Sequence, residues 1–149
     1  MIPDDLAAAC VRHARSEWRE DGDLAIQELS NLGISPDTEF GQIASRFNLA
    51  MLTDFGPSNE QLIDVCWGGS MADTAEFVHS TWGVPERFVP FTSCEGEGAY
   101  LYDRTSGEVW DFSLASQAGF VAGEQSPMFV SFFDFMRWYL DVTPATSHP

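Results

Sequence analysis

The sequence predicts an α+β chain, with short strands in the middle and helices around them. Three observations predict it. The stretch from Phe88 to Phe112 reads as strand, Gly-rich turn, strand, tight turn, strand. The segments on either side repeat apolar residues at helical spacing. Capping residues and Gly or Pro stops punctuate those segments. The 149 residues have the usual size of one domain. Residues 1–83 form a mainly helical half, 86–142 a sheet plus closing helix, and 143–149 a polar, Pro-containing tail.

In chain order, Asp4–Ser30 is expected to form a long helix. Pro3 and two acids stand at its start, and Leu6, Cys10 and Ala14 form its stripe. Arg12, Arg15 and Arg19 interleave with Glu17 and Glu20 as on a solvated face. Gly22 is a candidate break, and Asn31 with Gly33 ends the run. Ser35-Pro36-Asp37 then reads as a helix start, with Ser35 as the cap. Phe40, Ile43, Ala44 and Phe47 supply the buried stripe that follows. Residues 48–55 fit a short strand or a helix end, before a break at Gly56-Pro57. Ser58 and Gln61 form a capping-box pattern opening a third helix to Trp67. The near-continuous apolar run Leu62–Trp67 also fits a strand. Gly68-Gly69 stops it, and Ser70 with Asp73 opens a fourth helix running to Trp82.

In the central stretch, Arg87–Thr92 is β-favouring, but Pro90 cannot donate to a ladder, so this strand belongs at an edge. Ser93–Gly98 is a connection. Ala99–Asp103 and Glu108–Phe112 are joined by Arg-Thr-Ser-Gly, where Gly107 supplies the positive φ of a hairpin loop. Pairing Asp103 with Glu108 puts Ala99, Leu101, Trp110 and Phe112 on one face, which reads as core. Tyr100, Tyr102, Val109 and Asp111 fall on the other, which is half covered by a helix or used for contact. Opposed acids at Asp103 and Glu108 argue against that register. Beyond it, Ala115–Gly123 is expected as a turn and short edge strand. Ser126-Pro127 then caps a last helix, Met128–Val142, apolar nearly all round.

Charge narrows the function classes. Seven arginines, with no lysine, stand against 23 acids, for a formal net charge of −16. Such a field repels phosphate backbones and anionic lipid and favours basic partners. No nucleic-acid or membrane partner is therefore expected. No stretch approaches a transmembrane helix. The acidic start MIPDDLAAAC does not resemble a signal peptide, so the cytoplasm is the expected location. Cys10, Cys66 and Cys94 form neither a disulfide framework nor a zinc pattern.

Catalytic constellations are weak. Of the three histidines, His79 has Cys94 as a conceivable thiol partner, but no local motif links them. Glu95, Glu97, Asp103, Glu108 and Asp111 crowd one region, as an acidic chain does by composition. That leaves a small acid-dependent hydrolase as a minor alternative. Asp103-Arg-Thr-Ser-Gly lacks the alternating ligands of a calcium loop, and CEGEG lacks a phosphate-binding lysine. No catalytic residue, metal or cofactor is expected. The residues that fit partner binding are Glu95, Glu97, Tyr100, Tyr102, Asp103, Glu108 and Asp111, with acids to attract a cationic surface and tyrosines to supply contact area.

The run VPERFVPFTSCEGEGAYLYDRTSGEVWDF, followed by SFFDFMRWYL, resembles the SUKH superfamily. The resemblance rests on Pro90-Phe91, Gly96 and Gly98, Tyr100–Asp103, Gly107–Val109 and Ser131-Phe132, and it covers the C-terminal half. ISPDTEFGQIASRF is similar to the family's early helix, although no Gly-rich turn follows it before Gly68-Gly69. The resemblance implies an antiparallel sheet flanked by helices. It also implies an immunity protein that binds and neutralises a cognate bacterial toxin, often a nuclease and hence basic. The superfamily also includes adaptor or regulatory modules with other partners.

Overall fold

The computed structural model describes residues 1–52, 60–66, 70–94 and 96–142. They form an α+β fold in which a three-stranded antiparallel sheet is covered on both faces. The sheet has strands β1 (Phe88–Pro90), β2 (Gly98–Asp103) and β3 (Val109–Ser113), in the order β1-β2-β3. Pro90 thus lies on an edge strand. Tyr102 faces Val109 and Ala99 faces Phe112, the register that sets Asp103 beside Glu108. The expected repulsion is avoided because the Asp103 carboxylate turns away. It accepts from the Thr105 amide and hydroxyl and from Arg87 Nε at 3.2 Å. Glu108 accepts from the Ser106 hydroxyl. Gly107 takes φ +81° between them.

Three strands alone cannot bury enough surface to stand in water. The helices are α1 (Asp4–Ala14), α2 (Gly22–Asn31), α3 (Glu39–Arg46), α4 (Ser70–Ser80), α5 (Gln117–Val121) and α6 (Phe132–Tyr139). One sheet face carries Ala99, Leu101 and Phe112, which pack with Phe88 against Val78 of α4, Trp82 of the turn after it and Phe120 of α5; α4 ends at Ser80, short of the expected Trp82. The other carries Val89, Tyr100, Tyr102 and Val109, which form the larger core with Phe40, Phe132, Phe135 and the apolar stripes of α1 and α2. Most of the second face is therefore the principal core, and Asp111 is its exposed end. Phe40, Phe91, Tyr102 and Phe132 meet in tilted and edge-to-face pairs 4.7–5.9 Å apart, the geometry the ring quadrupole favours.

Several boundaries depart from expectation. The first helix is two helices. It ends where Arg15 takes a left-handed φ of 57° and its amide reaches Val11 O, seven residues before Gly22, which instead opens α2. The cap of α3 is Thr38, whose hydroxyl accepts from Gly41 N; Ser35 forms the preceding turn. Asn48 caps a 3-10 turn over Leu49–Met51. The capping-box start at Ser58 and the stops at Gly56-Pro57 and Gly68-Gly69 lie outside the described residues, as does the 143–149 tail. Residues 60–66 are not helical: Leu62 bridges Thr92, and Ile63 N donates to Phe91 O, extending the β1 edge. Residues 114–121 form a 3-10 turn and α5, not a strand, which drops Phe120 onto the sheet. The last helix starts only at Ser131, whose hydroxyl accepts from Asp134 N, because Phe129 pairs with Val109 on the sheet.

Arg19 is the largest correction. It is no surface charge: its side chain is 4% exposed and forms an ion pair with Asp64, which is 0% exposed, at 2.7 Å. Nη1 also donates to Ala44 O and Phe47 O, and Nε to Asp21. Asp64 accepts in addition from Leu49 N and Cys66 N. Burial pulls the guanidinium pKa down, but the hydrogen bonds it donates to Asp64 and Asp21 more than offset that, so Arg19 stays charged. Removing one member of a buried, satisfied pair leaves the other charge uncompensated. Asp64→Ala is therefore expected to lower the unfolding free energy by about 3–5 kcal/mol in urea titrations. A loss below about 1 kcal/mol, the scale of an exposed pair, would contradict it.

Acid stability follows from two further pairs. Arg137 of α6 holds the Asp5 carboxyl of α1 below its ordinary 3.8, and Arg19 does the same to Asp21. A carboxyl lowered in the folded state contributes stability in full above its unfolded pKa and loses it as the pH falls through the folded value. The urea midpoint is expected to fall steeply below about pH 4. Arg137→Met should blunt that fall, which urea titrations at stepped pH would measure.

Candidate functional site

The sheet ends in a shallow acidic groove. Gly96, Glu97 and Gly98 form its rim, Asp111 and Ser113 come from β3, and Glu60 comes from the segment beside β1; the groove has a volume of about 250 Å³. Glu97 reaches it because its backbone adopts φ +63°, and its carbonyl accepts from Leu114 N at 2.8 Å. Gly98 must be glycine, since a Cβ there would stand 2.6 Å from Phe112 O. The close approach this permits joins the rim to β3.

The structure divides the expected contact residues. Glu97 and Asp111 share the groove with Glu60, which sequence reasoning missed because it is distant in the chain. Glu108 lies towards the hairpin end of the same strands, three residues before Asp111 and so roughly 10 Å from it along the strand rise. Tyr100 and Tyr102 are only 8% and 2% exposed and pack into the main core; Tyr100 also lines the groove, whereas Tyr102 does not. Asp103, 3% exposed, holds the hairpin turn and Arg87 and is likewise structural. Glu95 lies outside the described residues.

The nucleophile candidates are placed elsewhere. His79 Nε2 lies 2.7 Å from Phe88 O, pinning α4 to β1. It lines a separate hollow of about 450 Å³ with Glu76, Glu86 and Arg104. Cys94 packs against the smaller core. Burial pushes the Cys10 thiol up to about 12 and the Cys66 thiol up to about 11, so neither is a thiolate at neutral pH. Among the described residues, no group of three His, Cys, Asp or Glu side chains could hold a metal ion, and no helix is long and apolar enough to cross a membrane.

Comparison with protein-family models, curated proteins and solved structures finds no match for this chain. The groove must therefore be read from its own chemistry. It presents the carboxylates of Glu97 and Asp111 together at the strand end. Desolvation by its neighbours raises the Asp111 carboxyl above its ordinary 3.8, although the residue stays exposed at the surface.

That shift has a sign. A raised acid binds its proton more tightly in the folded chain, so the ionised form carries a stability penalty at neutral pH that disappears on acidification. Asp111→Asn is expected to raise the melting temperature at pH 7. The gain should shrink as the pH falls towards 3, and paired thermal melts check both points.

Proposed function

We propose that this protein is an immunity-type inhibitor, which binds the basic effector domain of a cognate bacterial toxin and blocks its active surface. It acts by presenting charge and shape and turns over no substrate. The observation that carries this reading is the net charge of −16 combined with a carboxylate groove built on the sheet. A negative field accelerates encounter with a cationic surface and disfavours acidic competitors. A toxin that holds phosphates must display such a cationic surface. The resemblance of Pro90–Val109 and the closing helix to the SUKH superfamily supports the same reading, as do the burial of Cys10 and the structural bond made by His79.

The interface on this reading draws on Glu60, Glu97 and Asp111, with Glu108 at the far end of the strands. Tyr100 lines the groove but offers it little area, since it is only 8% exposed. The Glu97→Arg/Asp111→Arg double variant is expected to weaken binding of the toxin domain encoded beside this gene by about 10- to 100-fold, with about 1.4 kcal/mol per tenfold. Its fold should be unchanged, because Glu97 and Asp111 are exposed. Calorimetric titration against the purified domain measures this. Unchanged affinity would remove the groove from the interface, and turnover of a small substrate by the pure protein would overturn the non-enzymatic assignment.

A further inference from the structure

The sheet is covered along its β1 edge, where Leu62 bridges Thr92 and His79 Nε2 lies 2.7 Å from Phe88 O. Its β3 edge is covered only in part. The direction of each backbone group on β3 follows from the bonds at its two ends. Asp103 N donates to Glu108 O and Leu114 N donates to Glu97 O, so residues 108, 110, 112 and 114 bond inwards to β2. Val109, Asp111 and Ser113 therefore turn their amides and carbonyls outwards. At Val109 that outer lane is filled: its amide donates to Phe129 O at 2.9 Å, and its carbonyl accepts from Met128 N at 2.8 Å. Antiparallel continuation would set Pro127 opposite Asp111, and a proline has no N–H to give. Among the described residues, the Asp111 amide and carbonyl and the Ser113 amide have no hydrogen-bond partner. An unpaired edge is a template for another strand.

The open run selects what can pair with it. Exposed Asp111 stands in it, and the groove alongside adds Glu97 and Glu60. All seven arginines are among the described residues, and none lines that groove. Two copies of the chain pairing antiparallel about this position would oppose Asp111 to Asp111, and like charges directly opposite are destabilising. A strand with Lys or Arg opposite Asp111 makes the same backbone bonds with a favourable charge pair on the shared face.

We infer that the outer edge of β3 at Asp111–Ser113 is a strand-addition site, and that its occupant is an extended, antiparallel segment of a basic protein with Lys or Arg opposite Asp111. Backbone bonds supply affinity, and the acids supply the choice of partner. Because Asp111 faces outwards, the basic residue opposite it gives its own amide to Asp111 O and accepts from Asp111 N. That the basic protein is a toxin rests on the function proposed above; the edge and its preference for a basic strand do not.

Amide exchange and chemical-shift mapping by NMR on the full chain test this with two probes. The first is the toxin domain encoded beside this gene. In the free chain the Asp111 and Ser113 amides are expected to exchange fast and those of Trp110 and Phe112 slowly. With the domain bound, Asp111 and Ser113 should slow at least about 10-fold. The second probe is a capped octapeptide alternating Lys with Thr or Val, titrated to millimolar concentration. Its shifts should centre on Asp111 and Ser113, weaken with salt and vanish in Asp111→Arg, whose fold circular dichroism confirms. N-methylation of the Lys amides should abolish the shifts, and N-methylation of the alternate amides should leave them. A domain that binds without slowing Asp111 and Ser113 would overturn strand addition and leave the proposed function standing. A domain that does not bind would overturn the proposed function, and the octapeptide would still decide the edge. Octapeptide shifts centred elsewhere, no shifts, or equal loss with either N-methylated set would overturn the inference. Slowing at Asp111 caused by the chain's own dimerisation would overturn the assigned occupant.

Discussion

One guanidinium holds the irregular half of this molecule together. Arg19 gives hydrogen bonds to Asp21, Ala44 O, Phe47 O and Asp64, and Asp64 in turn accepts from Leu49 N and Cys66 N. The segments so joined are the α1–α2 connection, the end of α3, the 3-10 turn and the non-helical 60–66 run. Each would otherwise bury backbone groups without partners. Ala44 O and Phe47 O lie at the C-terminal end of α3, where a cation also suits the helix dipole. A buried pair is a poor source of net stability when compared with apolar packing. Its contribution here is uniqueness: carboxylate, carbonyl and amide positions agree on one arrangement of four segments. This is the use of a fully satisfied polar network.

The sheet depends on that arrangement. Its larger aromatic face is covered by α6 and α3, and α3 is fixed at one end by Arg19 and joined to α6 by Glu39, whose Oε1 accepts from Phe133 N at 2.9 Å. The β1 edge is extended by Leu62, two residues before Asp64. Loss of the Arg19–Asp64 pair would therefore loosen the cover of the main core as well as the loops that make the pair. The smaller core behind the sheet, around Trp82, Phe112 and Phe120, is held by ring packing at 4.9–5.5 Å and by two side-chain bonds to backbone carbonyls, His79 to Phe88 O and Gln117 to Trp82 O.

What the sequence made legible was local. Hairpin spacing with a glycine at 107 placed the β2–β3 register correctly, and the period-3.6 stripe of Phe40, Ile43, Ala44 and Phe47 placed the buried face of α3. Strand alternation also sorted Tyr100 from Leu101. It could not say which face would receive the larger cover, because alternation records sides and not neighbours. Arg19 was misread for the same reason. Its charged neighbours in sequence suggest a solvated face, while its partner is 45 residues away. Phe120 and Val121 fit either period in so short a run, and tertiary packing decided for helix. Of the expected contact residues, the acids at Glu97 and Asp111 stay at the surface, and those that sheet geometry claimed moved inward.

The acidic surplus governs the approach of a partner on the reading proposed here. Arg19, Arg87 and Arg137 are committed to ion pairs within the fold, so they do little to balance the field seen from outside. That field opposes compaction by self-repulsion. Its reach is a Debye length, about 8 Å at physiological salt, so it governs encounter and orientation more than residence. Residence depends on desolvated contacts, and differences between related complexes lie mostly in dissociation rates. The interaction that fixes the loops buries a cation together with an anion, so it orders the fold without lowering the net negative charge that a basic partner meets.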